Sequence, residues 1–409
     1  MSFLSNMVLS PSLARNKPFL FLFTGRVISQ LGDKLYLLAL PWFVLEITGS
    51  VVQFANTMAL ELLPALLFSP FIGVWVDRAD RKKILILSDI SQGLVITLLV
   101  IAVMMGFTWI GLIYITAFLL SILTLLFEAA TDAYMPSIVA KEDITEANAK
   151  LTMVATIMRV IGPALAGFMI GIIGSIATIA FNGLTFFLSA LFLSFVPNQS
   201  MKQNRENSGS QTILHNMKEG FVYLVTHPVL MPIAIFSALI NISIQAATSL
   251  FIFESKEIQG YGAFETSTIF WVSGLFSFFT TLIIKPVNNR ITKGQMIRYG
   301  ALGVLIGIGI LLIDQSVVTL TISYTLLLAI GIFVGVSMMS LRQEIVPTHL
   351  LGRVMTANRM INNSLSPLAI LLGGYLANRY SPYLVYLLST LLVSGNVLYA
   401  WLGKIKDIK

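Results

Sequence analysis

Cysteine is absent from the 409 residues and histidine occurs only three times. The first absence rules out disulfides, thiolate metal sites and a thiol nucleophile. His215, His227 and His349 are scattered, and no H-E-x-x-H motif, acidic metal cluster or Gly-rich phosphate loop accompanies them. The sequence therefore predicts no cofactor, no metal and no enzyme activity. Charge is also scarce, at 11% of residues, where a soluble domain carries about a quarter. In its place the chain is 56% hydrophobic.

That apolar content falls into about twelve stretches of bilayer-crossing length, near 19–46, 50–75, 84–105, 109–131, 147–172, 175–196, 228–253, 266–286, 294–313, 317–340, 355–377 and 382–402. Residues 1–18 lack the compact apolar core and small-residue cleavage site of a signal peptide. The expected fold is all-α and integral to the membrane. The net charge of +7 follows the membrane rather than a nucleic-acid footprint. Lysine and arginine gather at the termini and in alternate loops, whereas the opposite loops offer only Lys256 and Arg379. This asymmetry predicts an even span count with both termini in the cytoplasm.

The densest loop is Gly73-Val-Trp-Val-Asp77-Arg-Ala-Asp-Arg81-Lys82-Lys83, set between two spans. The longest polar interruption, 197–227, reads as a cytoplasmic linker with a short amphipathic helix near 213–225. It separates a six-span half at 1–196 from another at 228–409. A repeat supports the division. Pro136…Ala147-Asn148…Gly162-Pro163…Gly167 is echoed by Pro347…Ala357-Asn358…Ser366-Pro367…Gly373-Gly374, a loop proline, an Ala-Asn helix start and a Pro/Gly-rich helix in each half. A carrier that switches between two halves fits such a repeat better than a fixed pore.

Ionisable groups inside hydrocarbon need a cavity or a partner. Arg26, Gln30 and Asp33 recur at i, i+4, i+7 on one face of the first span, with Lys34 beside it. Gln53, Thr57 and Glu61 repeat the spacing in the second span, and Thr152, Thr156 and Arg159 in the fifth. The seventh offers Asn241, Gln245 and Thr248, the eleventh Arg359, Asn363 and Ser366. Such stripes suit helices around an aqueous cavity. Gln30, Tyr36, Thr57, Thr156, Asn241, Gln245 and Asn363 are its candidate lining, with Trp42, Trp271 and Tyr324 as further aromatic surfaces. Asp33, Glu61 and Glu128 are candidates to bind a coupling proton, with Arg26 or Arg159 to pair with the ionised form. A permanent Asp33–Arg159 pair that only joins two helices is the structural alternative.

The Asp77-to-Lys83 loop, Leu31-Gly-Asp33, Ala147-Asn148, Gly162-Pro163 and Pro347…Gly352-Arg353-Val354 together resemble the macrolide-efflux branch of the major facilitator superfamily. The resemblance implies two pseudo-symmetric six-helix bundles, alternating access and a monomer in the bacterial cytoplasmic (inner) membrane. It implies export of an amphipathic, drug-like small molecule in exchange for protons. A lysolipid, siderophore or peptide carrier without proton coupling is the alternative cargo class. Residues Gly73, Asp77, Arg81 and Lys82 would form a conformational latch with the fourth and eleventh helices, where Asp132 stands as partner acid. Asp80 replaces the glycine usual in that loop. Gly162, Pro163, Gly167 and Gly171 resemble the fifth-helix motif of exporters, in which proline bends the helix and glycines admit a close neighbour.

Overall fold

A computed structural model describes residues 11–197, 210–288 and 291–402. Those residues are about 90% helical and contain no strand. After a short helix at Pro11–Arg15 come α1 (Lys17–Thr48), α2 (Val51–Arg78), α3 (Arg81–Met104), α4 (Ile110–Ile138), α5 (Ile144–Ile173) and α6 (Ser175–Ser194). Then α7 (Ser210–Thr226) precedes α8 (Leu230–Thr248), α9 (Ala263–Asn288), α10 (Lys293–Gly309) and α11 (Val317–Ile345). The chain ends in α12 (Thr348–Ser364), α13 (Ser366–Arg379) and α14 (Pro382–Leu402). Among the described residues, nine helices are long and apolar enough to cross a membrane.

One of the stretches outside that nine has a visible reason: α1 carries Arg26, Asp33, Lys34 and Glu46 along its length. The expected single helix at 355–377 is instead two, broken at Leu365, with Pro367 in the first turn of α13. Proline has no N–H to give, so the chain ends one helix and starts the next. Ala357-Asn358 accordingly lies well inside α12 rather than at a helix start, and Pro136 lies in the last turn of α4 rather than in a loop.

By contacts the chain forms two compact units, and α2 is divided between them. One unit holds α1 up to Phe43 and everything from Leu63 through α6; the other holds Val44–Leu62 and α7 onward. In the first, α3 faces inward with Ser88, Asp89, Gln92, Gly93, Ile96 and Leu99 and outward with Leu87, Leu94, Leu98 and Ile101. The apolar side thus faces lipid and the polar side faces protein, the reverse of a soluble helix. Gly93 and Gly183 bring α3 and α6 together, since a Cβ on Gly93 would stand 2.7 Å from the Phe187 ring. Asn16 caps α1 through the Phe19 N–H (3.0 Å) and donates its amide to the Ile138 carbonyl (2.7 Å) at the end of α4.

In the second unit, Ile233, Phe236, Val304, Ile308, Leu327 and Tyr386 centre a core shared by α8, α10, α11 and α14. Two consecutive glycines of α13 accommodate two neighbours: Gly373 lies against the Ala246 backbone of α8, and Gly374 against Ala55. α7 rests on α12, with Leu224 and Val354 fully buried between them and Glu219 paired to Arg353.

Candidate functional site

Two faces of α1, one residue apart, organise the first unit. Gly25, Ser29 and Gly32 repeat at i, i+4, i+7 and press on α6. A Cβ at Gly32 would fall 2.0 Å from Thr185 Oγ1 and 2.2 Å from Asn182 Oδ1. The adjacent stripe is Arg26, Gln30 and Asp33. Arg26 Nη2 donates to Glu128 Oε1 of α4 at 3.1 Å, and its guanidinium sits 5.2 Å from the centroid of the Phe127 ring. Asp33 stands within the electrostatic field of Arg26, Lys34 and Glu128. Gln30 Oε1 is buried with no donor among the described residues.

The Asp33–Arg159 pair does not form. Arg159 is exposed on α5, and the cation that engages an acid is Arg26. Gly162, three residues further along α5, meets α1 directly: a Cβ there would lie 2.4 Å from Lys34 Cβ. Gly167 is buried, Pro163 is half-buried inside a continuous helix, and Gly171 has open space around it. Of Gly162 and Gly171, it is Gly162 that brings α5 into close contact with a neighbour.

Other candidates are spread more widely. The Thr57 and Thr156 hydroxyls donate to carbonyls of their own helices, Gln53 and Thr152, both at 2.9 Å. Glu61 is partly buried in the first half of α2, counted with the second unit. Tyr36 and Trp42 are buried, and Tyr324 packs edge-on against Phe251 and Phe270, so these rings are largely core. Gln245 is half-buried on α8. Asn241 donates to the Asn362 carbonyl at 2.8 Å and contacts Ser366 Oγ at 3.4 Å. That carbonyl lies at the α12–α13 break, where the helix no longer supplies a donor. The Asn363 side chain lies outside the described residues.

The charged loop is tighter than a hairpin. α2 runs through Arg78, and Asp80 is the N-cap of α3, its carboxylate accepting from the Lys83 N–H at 3.2 Å. Asp80 has φ −71° and ψ 105°, an extended conformation open to any residue, so this turn does not need the glycine it replaces. Arg81 donates to the Ala133 carbonyl (2.9 Å), beside the exposed Asp132, and Lys82 to the Ser194 carbonyl at the end of α6 (3.0 Å). The surroundings of Gly73 and the side chain of Asp77 lie outside the described residues, as do Asn289 and Arg290.

Two acids escaped the sequence reading. Asp89 of α3 has 0% exposure and stands beside Ser189 of α6, with Gln92 Nε2 at 3.5 Å from its Oδ1. Gln92 in turn accepts from Thr124 of α4 at 2.9 Å. Glu254 lies in a wide i→i+5 turn at Glu254–Ile258, 2% exposed, within the field of the buried Tyr386 phenol. The signal for Asp89 was the polar pair Asp89 and Gln92 at i, i+3 inside an otherwise apolar span.

Comparison with known proteins follows this geometry. The sequence profile of the Major Facilitator Superfamily matches residues 22–370. The chain belongs to that superfamily. Its members are membrane transporters rather than enzymes, so the chain is a multi-pass transporter. Within the superfamily it is 25% identical to the uncharacterized transporter YfiS of Bacillus subtilis, over 96% of this chain and 95% of that one. It is 24% identical to macrolide efflux protein A of Streptococcus pyogenes, over 95% and 97%. The fold matches the nucleoside transporter NupG with a TM-score of 0.75 at 14% identity, covering 96% of this chain and all of that one.

Proposed function

We propose that this superfamily member exports amphipathic, macrolide-like small molecules from the bacterial cytoplasm in exchange for protons. The observation that carries the reading is the Arg26–Glu128 pair with Asp33 beside it, a titratable cluster held on otherwise apolar helices. An ionisable group costs about 2.5–3.5 kcal/mol at mid-membrane, so a cluster of them on membrane helices favours a functional role. Likeness to macrolide efflux protein A along nearly the whole chain supports the cargo class and the direction. In this reading twelve spans form two halves, 1–196 and 228–409, joined by 197–227, with both termini cytoplasmic.

A proton entering from outside neutralises an acid of the cluster, which frees Arg26 from its partner and changes the charge facing the cavity. Substrate release and proton binding then compete for the same site, and rocking of the halves carries each to the opposite face. The test is uptake of radiolabelled erythromycin into energised inverted vesicles, with wild type beside Asp33→Asn and Glu61→Gln. The expected result is accumulation that a protonophore collapses and that at least one of the two variants loses. Accumulation indifferent to both would replace antiport with the uncoupled lysolipid, siderophore or peptide carrier.

A further inference from the structure

We propose that Asp89 is a second proton-carrying carboxyl of this transporter, set behind the α1 face that bears Asp33. The proposal rests on the antiport reading and extends it to a residue on α3. Three observations support it. The carboxylate is wholly buried, it makes no ion pair among the described residues, and its polar neighbours are the Ser189 hydroxyl and the Gln92 amide, the latter at the edge of bonding distance. A packing role alone would be served by an uncharged amide of the same shape.

Charge counting gives the second support. The charged groups facing Asp89 are Arg26 and Asp33, both from α1. Arg26 is also the cation acting on Glu128 and Asp132 of α4, and Lys34 is the other cation near Asp33. α6, packed on the remaining side, contributes Asn182, Thr185 and Ser189 but no titratable residue. Glu128 and Asp132 reach the surface, whereas Asp33 and Asp89 share Arg26 away from it. Asp89, wholly buried and without an ion pair among the described residues, is the carboxyl whose charge costs most, so it is the natural holder of a proton. When the Arg26–Glu128 pair opens, Arg26 becomes free to stabilise an ionised Asp89, which then releases that proton. The step moves one proton and one charge and breaks no other bond.

Third, the surroundings suit a group that changes charge without moving far. The Ser189 hydroxyl beside it can donate to the ionised form or accept from the acid. Gly25 lets α1 pack closely on Ser189, since a Cβ there would stand only 3.1 Å from Ser189 Oγ.

The experiment uses the full protein in proteoliposomes with radiolabelled erythromycin, comparing wild type, Asp89→Asn and Asp89→Glu. Asparagine mimics the neutral acid and cannot release a proton. The expected outcome is that Asp89→Asn loses uptake driven by a pH gradient but keeps substrate exchange at equal pH, while Asp89→Glu restores gradient-driven uptake. Difference infrared spectroscopy should show a protonated-carboxyl C=O band that changes with pH in wild type and is missing in Asp89→Asn. Wild-type coupling with an unaltered pH profile in Asp89→Asn would overturn the proposal, as would an infrared band that never changes with pH. Wild-type uptake that ignores a protonophore would instead overturn the antiport reading, and the infrared arm would still decide whether Asp89 exchanges its proton.

Discussion

At the scale of single residues, two glycines in similar sequence contexts have different tolerances. Gly32 has buried Thr185 and Asn182 oxygens where a Cβ would go, whereas Gly171 has open space. Gly32→Ala should destabilise the folded protein by about 1–3 kcal/mol, because both side chains are buried and Thr185 is hydrogen-bonded to Asn182, so neither can swing aside freely. Gly171→Ala should leave the melting temperature in detergent unchanged or slightly raised. Equal melting temperatures for both variants would refute the α1–α6 contact. Residues were unevenly legible for the same reason. The α1 stripe could be read from its spacing, because charges in an apolar span are conspicuous. Asp89 escaped because it is one acid in the long apolar run of α3, and its significance comes from Ser189, a hundred residues away in the chain. Asn241 was legible as a polar residue facing inward, but its partner is a backbone carbonyl that exists only because α12 stops at Ser364.

At the scale of elements, helix ends and breaks are where side chains substitute for missing backbone bonds. The break at Leu365 leaves the Asn362 carbonyl to Asn241, so Asn241→Leu should cost about 1–3 kcal/mol by stranding a buried acceptor. Hydrogen exchange should rise in α12 and α13 while α3 stays protected; a rise spread evenly over the chain would count against a local role. The start of α11 shows how an exposed cap responds to pH. Asp314 accepts from the Ser316 and Thr319 hydroxyls, both at 2.5 Å, and these bonds hold its carboxyl below the usual carboxylate range. A depressed acid stabilises the fold above its unfolded value of 3.8 and loses that contribution as pH falls through the folded value. Amides of the first turn of α11 should therefore exchange faster as the pH drops into that acid range, relative to those of α10, whose Thr292–Gln295 capping box carries no acid. The same difference should vanish in Asp314→Ala. Helix positions were legible because a span must be long and apolar, and α14 begins where the pattern placed it. The division of the eleventh stretch was not, since a Ser-Pro pair within a span can bend a helix as readily as end it.

For the whole molecule, the charge pattern predicts an orientation in the bilayer, and the absence of cysteine makes it directly measurable. The start of α3 carries Arg81, Lys82 and Lys83 and the stretch between α4 and α5 carries Lys141, whereas the link from α3 to α4, Met105–Trp109, carries no charge. Cations near span ends resist translocation, so the first two belong in the cytoplasm and the third outside. Because the chain contains no cysteine, a single Thr108→Cys or Lys141→Cys substitution gives one reactive thiol on an unlabelled background. A membrane-impermeant maleimide added to intact cells should label Thr108→Cys, which sits in an exposed connection, and should leave Lys141→Cys unmodified until the membrane is permeabilised. The reverse pattern would turn the transporter over and make the proposed export an import. Labelling of both from outside would break the alternation on which the even span count rests. The expected pattern would place Arg81 and Lys82, with their carbonyl partners at Ala133 and Ser194, on the side from which an exporter collects its cargo.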